Sequence, residues 1–201
     1  ALPTGYKMMT STFIPVGSDG AVLRLADIVP SNFSIFNGDT VQFFNLNGSG
    51  SVTNMVSWMG GWVDATTYAD MSNLEIPAGT GMFVFSTQAN VTFQMVGEVA
   101  LAELPLAISS GYTVVGNSSP VAITLGNVVP TNFSIFEGDT IQFFNSNGNG
   151  GVVTMASYMG GWVDATTYAD LSATVLNPGD GFFVYTTKSN TTLTFPAITV
   201  N

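Results

Sequence analysis

Cysteine and histidine are absent from this sequence of 201 residues, and only Lys7, Arg24 and Lys188 carry a positive charge. Without Cys there are no disulfides and no thiol chemistry. Without His the usual zinc, copper and haem ligand sets and a Ser-His-Asp triad are excluded as well. Thirteen carboxylates against three cations give a net charge of −10 at pH 7. A phosphate backbone would meet repulsion with no basic stripe to offset it, so nucleic acid is excluded as a partner, and anionic lipid with it. No apolar run approaches the roughly 20 residues that a membrane-spanning helix needs, and no membrane insertion is expected. Charged residues make up 8% of the chain, against about 25% in an ordinary soluble domain. Ser, Thr, Asn and Gly must carry solubility instead, which points to an extracellular or cell-surface location. The start at Ala1-Leu2-Pro3-Thr4, with neither Met nor a leader, leads us to expect a mature form after signal-peptide removal.

What is present is a repeat. GGWVDATTYAD occurs at 60–70 and again at 160–170, and the match extends upstream to Asn32 and Asn132 and downstream to GTGMFVF at 79–85 and GDGFFVY at 179–185 without a gap. Gly5-Tyr6 answers to Gly111-Tyr112 after a deletion of about six residues in the second copy. Two homologous modules are expected, 1–103 and 104–201, each of about 100 residues and large enough for its own core.

Within a module the periodicity is that of strands. A β-branched and aromatic run at 41–44 is followed by Asn47-Gly48, which predicts a hairpin into 52–58, with a second reversal at Gly60-Gly61. Gly38 and Gly138 mark another tight turn. The only helical turns predicted are 25–29 and 125–129, each stopping before a proline, Pro30 and Pro130. The fold class is all-β, with each module a β-sandwich or small barrel of about seven to nine short strands.

Gly5-Tyr6, Gly61-Trp62, Pro77 with Gly79 to Val84, and Thr92-Phe93 with Gly97-Glu98-Val99 form a pattern that returns as Gly111-Tyr112, Gly161-Trp162 and Pro178 to Val184. On these motifs the chain resembles secreted tandem-repeat all-β proteins of planctomycete and verrucomicrobial type bacteria. The resemblance covers nearly the whole chain and implies a surface or extracellular location. The second copy departs from it at the end, where TLTFPAITVN replaces the Gly-Glu-Val strand.

The identical segment supplies the candidate contact residues Trp62, Asp64 and Tyr68, with Trp162, Asp164 and Tyr168. Aromatic faces beside a carboxylate suit sugar binding. The competing reading packs each Trp in the core, Trp62 beside Phe83, and has Asp64 and Asp70 brace a loop through backbone amides. Catalysis by paired carboxylates is not expected, since Asp39, Asp64 and Asp70 all recur in the second copy. No metal and no cofactor is expected, for no calcium-loop spacing occurs. Asn-x-Ser/Thr sites fall at equivalent positions at Asn32 and Asn132 and at Asn90 and Asn190, which makes them candidate glycosylation sites.

The last segment alternates at Leu193 and Phe195 and again at Ile198 and Val200, and the linker 96–108 is similarly apolar. Such terminal strands need a sheet or a partner to hold them, and a strand donated to a neighbour builds filaments. The function expected is that of a non-enzymatic structural subunit of a filament, sheath or surface layer, whose partners are copies of itself. The alternative is a tandem carbohydrate-binding module for surface polysaccharide.

Overall fold

A computed structural model describes residues 2, 4–11, 14–15, 23–46, 49–77, 79–95, 97–98, 102–144 and 151–197. The described chain is all-β, with four single-turn 3-10 helices as its only helical elements. The first half holds β1 (Gly5–Thr10), β2 (Ile14–Pro15), β3 (Val29–Ser31), β4 (Thr40–Phe44), β5 (Val52–Trp58), β6 (Trp62–Asp64), β7 (Gly81–Ser86), β8 (Thr92–Gln94) and β9 (Gly97–Glu98). The second holds β10 (Leu104–Ile108), β11 (Gly111–Gly116), β12 (Ile123–Thr124), β13 (Val129–Thr131), β14 (Thr140–Phe144), β15 (Val152–Tyr158), β16 (Trp162–Asp164), β17 (Val175–Leu176), β18 (Gly181–Thr186) and β19 (Thr191–Phe195).

The sequence repeat becomes a repeat of topology. Five strands of the first half lie in the order β1-β7-β4-β5-β6, and five of the second in the order β11-β18-β14-β15-β16, antiparallel throughout. The register repeats too, with Gly5 opposite Ser86 and Gly111 opposite Thr186. The predicted helical turns shorten to the 3-10 turns Leu25–Asp27 and Leu125–Asn127, because β3 and β13 begin two residues later and take Pro30 and Pro130 into extended backbone. Gly38 and Gly138 close the turns Ile35–Asn37 and Ile135–Glu137 at φ 78° and 79°, a conformation that Gly adopts without a Cβ penalty.

The inward faces of these sheets form two hydrophobic cores. One gathers Leu25, Val41, Val56, Trp62 and Val84; the other gathers Leu125, Ile141, Trp162, Val184 and Leu193. Met8 of β1 joins the second core, so the halves interlock.

The outward faces of β7 and β18 are also covered, each by the other half. Phe83 and Phe183 meet with ring centroids 5.6 Å apart; Phe44 reaches Phe183 at 4.8 Å, and Phe144 reaches Phe83 at 5.7 Å. Tyr6 stacks on Phe83 and Tyr112 meets Phe183 edge-on. These six rings make a seam with approximate twofold symmetry, in the offset and edge-to-face geometry that aromatic quadrupoles favour. The backbones come close enough that a Cβ on Gly181 would lie 2.7 Å from the Met9 amide nitrogen. The expectation that Trp62 packs beside Phe83 is thereby corrected. Phe83 belongs to the seam, while Trp62 sits among Phe33, Trp58 and Phe93 in its own core.

The terminal segment also differs from its predicted role. Leu193 and Phe195 lie on β19, which is paired on both sides in the order β10-β19-β13, and both side chains are buried. Their backbone and apolar faces are already used, so these two residues are not available to a neighbour. Ile198 and Val200 lie outside the described residues. The described parts of the apolar linker supply a strand to each half, β9 pairing with β2 in the first and β10 with β19 in the second.

Candidate functional site

The twice-used segment is built from its turns upward. Gly60 and Gly160, at φ 80° and 78°, reverse the chain between β5 and β6 and between β15 and β16. The next residue but one, Trp62 or Trp162, turns inward and is 1% exposed. The Trp62 Nε1 donates to the Ile28 carbonyl at 2.8 Å, and the Trp162 Nε1 to the Val128 carbonyl at 2.9 Å. A sugar-stacking platform on these indoles is therefore ruled out by their burial, and each instead ties the 3-10 turn to the sheet.

Asp64 and Asp164 follow at the strand ends. Oδ1 of Asp64 accepts from the Thr66 and Thr67 amides and from the Thr67 hydroxyl, and Asp164 does the same with Thr166 and Thr167. The Thr67 amide, then the Thr66 amide and the Thr67 hydroxyl, hold the Asp64 carboxyl below the usual Asp range; Thr167 and Thr166 do so for Asp164. Asp70 and Asp170 are lowered likewise by Ser72 and Ser172. The chain then folds back along the outer edge of β6, with Val63 bridged to Asp70, and the second half repeats this between Val163 and Asp170.

Tyr68 and Tyr168 close these turns at φ 61°, with 60% and 61% of their surface exposed. A bulky L-residue in the left-handed region costs about 1–2 kcal/mol, which Gly would avoid and Asn would reduce. The tight Asp-centred turn imposes the backbone angle, but it does not require a tyrosine. Of the six candidate contact residues, the segment thus offers the two tyrosines to solvent, commits the two aspartates to turns and buries the two tryptophans.

Phe36 and Phe136 are missed by sequence reasoning. They sit at the centre of the Ile35–Asn37 and Ile135–Glu137 turns and are 82% and 81% exposed. The available signal is that an aromatic recurs at the centre of a turn ended by Gly, where it has no core to enter.

The four equivalent sequon asparagines, Asn32, Asn90, Asn132 and Asn190, are all exposed. The amides of Asn32 and Asn132 donate to the carbonyls of Asn90 and Asn190 at 3.4 and 3.2 Å, so these pairs recur for a loop-bracing reason. Asp39 and Asp139 are fully buried. Asp39 accepts from the amides of Ser34 and Thr87 and from the Thr87 hydroxyl. In the second half Asp139 accepts from Ser134, and Lys188, paired with Glu137, stands 3.7 Å away. Hydrogen bonding to Glu137 raises the Lys188 ammonium above its ordinary range.

Two clefts open where the halves meet. One of about 350 Å³ includes Lys7, Phe144, Asn177 and Asp180; its twin of about 240 Å³ has Thr113, Phe44, Pro77 and Thr80 at the matching places. Among the described residues neither cleft is lined by two carboxylates, and no group of three or more Asp and Glu is arranged to hold a metal. No protein-family model, no curated protein and no solved structure matches this chain.

Proposed function

We propose that this protein is a non-enzymatic structural subunit that acts outside the cell, assembling with copies of itself into a filament, sheath or surface layer. The observation that carries this reading is the duplicated, outward-facing aromatic set: Phe36 with Phe136, and Tyr68 with Tyr168. Large exposed apolar residues that recur at equivalent points of a charge-poor surface are contact material. Among the described residues the clefts at the seam are lined by one carboxylate in the first and none in the second, which supports a reading without acid and base catalysis. The same exposed contacts presented twice suit repeated assembly.

Electron microscopy and sedimentation of the native protein over a range of concentrations test this. Regular polymers are expected, and the double change Phe36→Ser with Phe136→Ser should leave a folded monomer. A monomer at every concentration would overturn the reading. The second reading, a module for neutral polysaccharide, is favoured by Tyr68 and Tyr168 alone, because the tryptophans are buried. It calls for sugar binding that disappears with Tyr68→Ala and Tyr168→Ala while polymers are absent.

A further inference from the structure

At Asp39 and Asp139 the two halves part company. Both carboxylates are fully buried, and each accepts at Oδ2 from the amide of the serine five residues before it, Ser34 or Ser134. Oδ1 of Asp39 accepts from the Thr87 amide at 2.8 Å and from the Thr87 hydroxyl at 3.1 Å. Oδ1 of Asp139 is buried too and has no partner among the described residues, although Thr187 stands at the equivalent position. A buried polar atom left without a donor is costly, and native folds rarely keep one without a reason.

What the second half has in its place is a lysine and a glutamate. Lys188 stands where the first half has Gln88, and Glu137 where it has Asn37, so both occur in the copy whose aspartate is orphaned. The Lys188 Nζ donates to Glu137 and, at 3.1 Å, to the Asn132 carbonyl, and it stands 3.7 Å from Oδ2 of Asp139. That is too far for a hydrogen bond, yet in contact with the carboxyl group. The lysine side chain is 25% exposed and the aspartate not at all, so amine and carboxyl meet at the edge of the dry interior. Asp139 immediately precedes β14 and Lys188 lies two residues beyond β18, strands that pair Thr140 with Tyr185. The sheet therefore holds the two groups together. An amine, a carboxyl group and a second carboxylate touching the amine are the parts that amide condensation needs.

We infer that Lys188 and Asp139 join in an isopeptide bond, with Glu137 carrying the protons. Glu137 takes a proton from the Lys188 ammonium and frees the lone pair of Nζ. Nζ attacks Cγ of Asp139, and the Ser134 amide, already on Oδ2, steadies the negative charge that gathers there. Oδ1 leaves as water with two protons that came from Nζ by way of Glu137. One N–C bond forms, one C–O bond breaks and nothing is oxidised or reduced. The ammonium and carboxylate charges cancel, and Glu137 ends as it began. The atom that departs is the one without a partner, and the amide that remains buries no charge. Hydrogen bonding to Glu137 raises the Lys188 ammonium above its ordinary range, so the free amine is scarce and the bond accumulates slowly in the folded chain. The first half, with Asn37 and Gln88, has neither amine nor base here and stays open. The inference stands apart from the assembly reading, since the bond lies within one chain.

Mass spectrometry of the intact protein tests this. After prolonged incubation below its melting temperature the folded chain should be lighter than its sequence by one water, while a chain held unfolded in guanidinium should keep its full mass. Proteolysis should then release one branched peptide that joins Asp139 to Lys188. Lys188→Arg retains the positive charge and should keep full mass, and Glu137→Gln should slow the loss of water by about a hundredfold or more. A folded parent that keeps its full mass would overturn the inference, as would a loss of water that survives in Lys188→Arg and so belongs to other residues. Condensation of Glu137→Gln at the parent's rate would overturn the role given to Glu137. Should a variant fail to fold, the presence or absence of the branched peptide in the parent decides the matter. Stability comparisons at Asp139 are made on freshly folded chain, before the bond accumulates, where only the ion pair is lost.

Discussion

Asp39 and Asp139 occupy the same position in the two halves, yet their surroundings differ. Asp39 satisfies the Ser34 and Thr87 amides and the Thr87 hydroxyl from a fully buried carboxylate. Oδ1 of Asp139 has no hydrogen-bond partner among the described residues, and Lys188 stands 3.7 Å from the other oxygen, Oδ2. Asp39→Ala should therefore cost about 2–4 kcal/mol, since the Ser34 and Thr87 amides lose the buried carboxylate that accepts from them. Asp139→Ala should cost less. Urea denaturation of the two variants checks the order. That these carboxylates are structural is legible in the sequence, because each recurs at the same place in both modules. That only one of them is well satisfied is not legible, since it depends on Thr87 and Lys188, about fifty residues away.

At the scale of the element, the Asp64 and Asp164 turns are local devices, and their chemistry can be read from Asp-x-x-Thr alone. Their folded pKa values lie below the roughly 3.9 of an unfolded Asp. The stability they add is thus complete above that value and is lost as pH falls through the depressed folded values. Thermal melts of the parent should lose stability on acidification below about pH 4, and Asp64→Asn with Asp164→Asn should flatten that loss. An unchanged acid slope would show that the turns contribute nothing. The strands were equally local, and β4 and β5 pair where alternation placed them, while the predicted Asn47-Gly48 turn lies outside the described residues. Two elements depended on more than local pattern. The 25–29 turn gave up its last residue to β3, and the terminal apolar segment became the centre of a sheet.

The seam governs the molecule as a whole. Gly181 meets the Met9 backbone, and backbone cannot rotate out of the way of a new methyl group. Gly181→Ala should wedge the halves apart at a cost of about 1–3 kcal/mol, whereas Gly61→Ala, with nothing within 4 Å of its Cβ position, should cost far less. Differential scanning calorimetry distinguishes them. The signal for the seam exists in GMFVFS and GFFVYT, whose apolar residues fall on both faces of the strand. What it omits is the identity of the second cover.

The sequence by itself determined the all-β class, the repeat with its turns, and the exclusion of thiol, imidazole and nucleic-acid chemistry, because these follow from composition and from contacts a few residues apart. Only the tertiary structure decided which aromatics are core, which join the halves and which face solvent. Alternation gives each strand two faces. What covers each face is set by residues about a hundred positions away, and no local pattern carries that information.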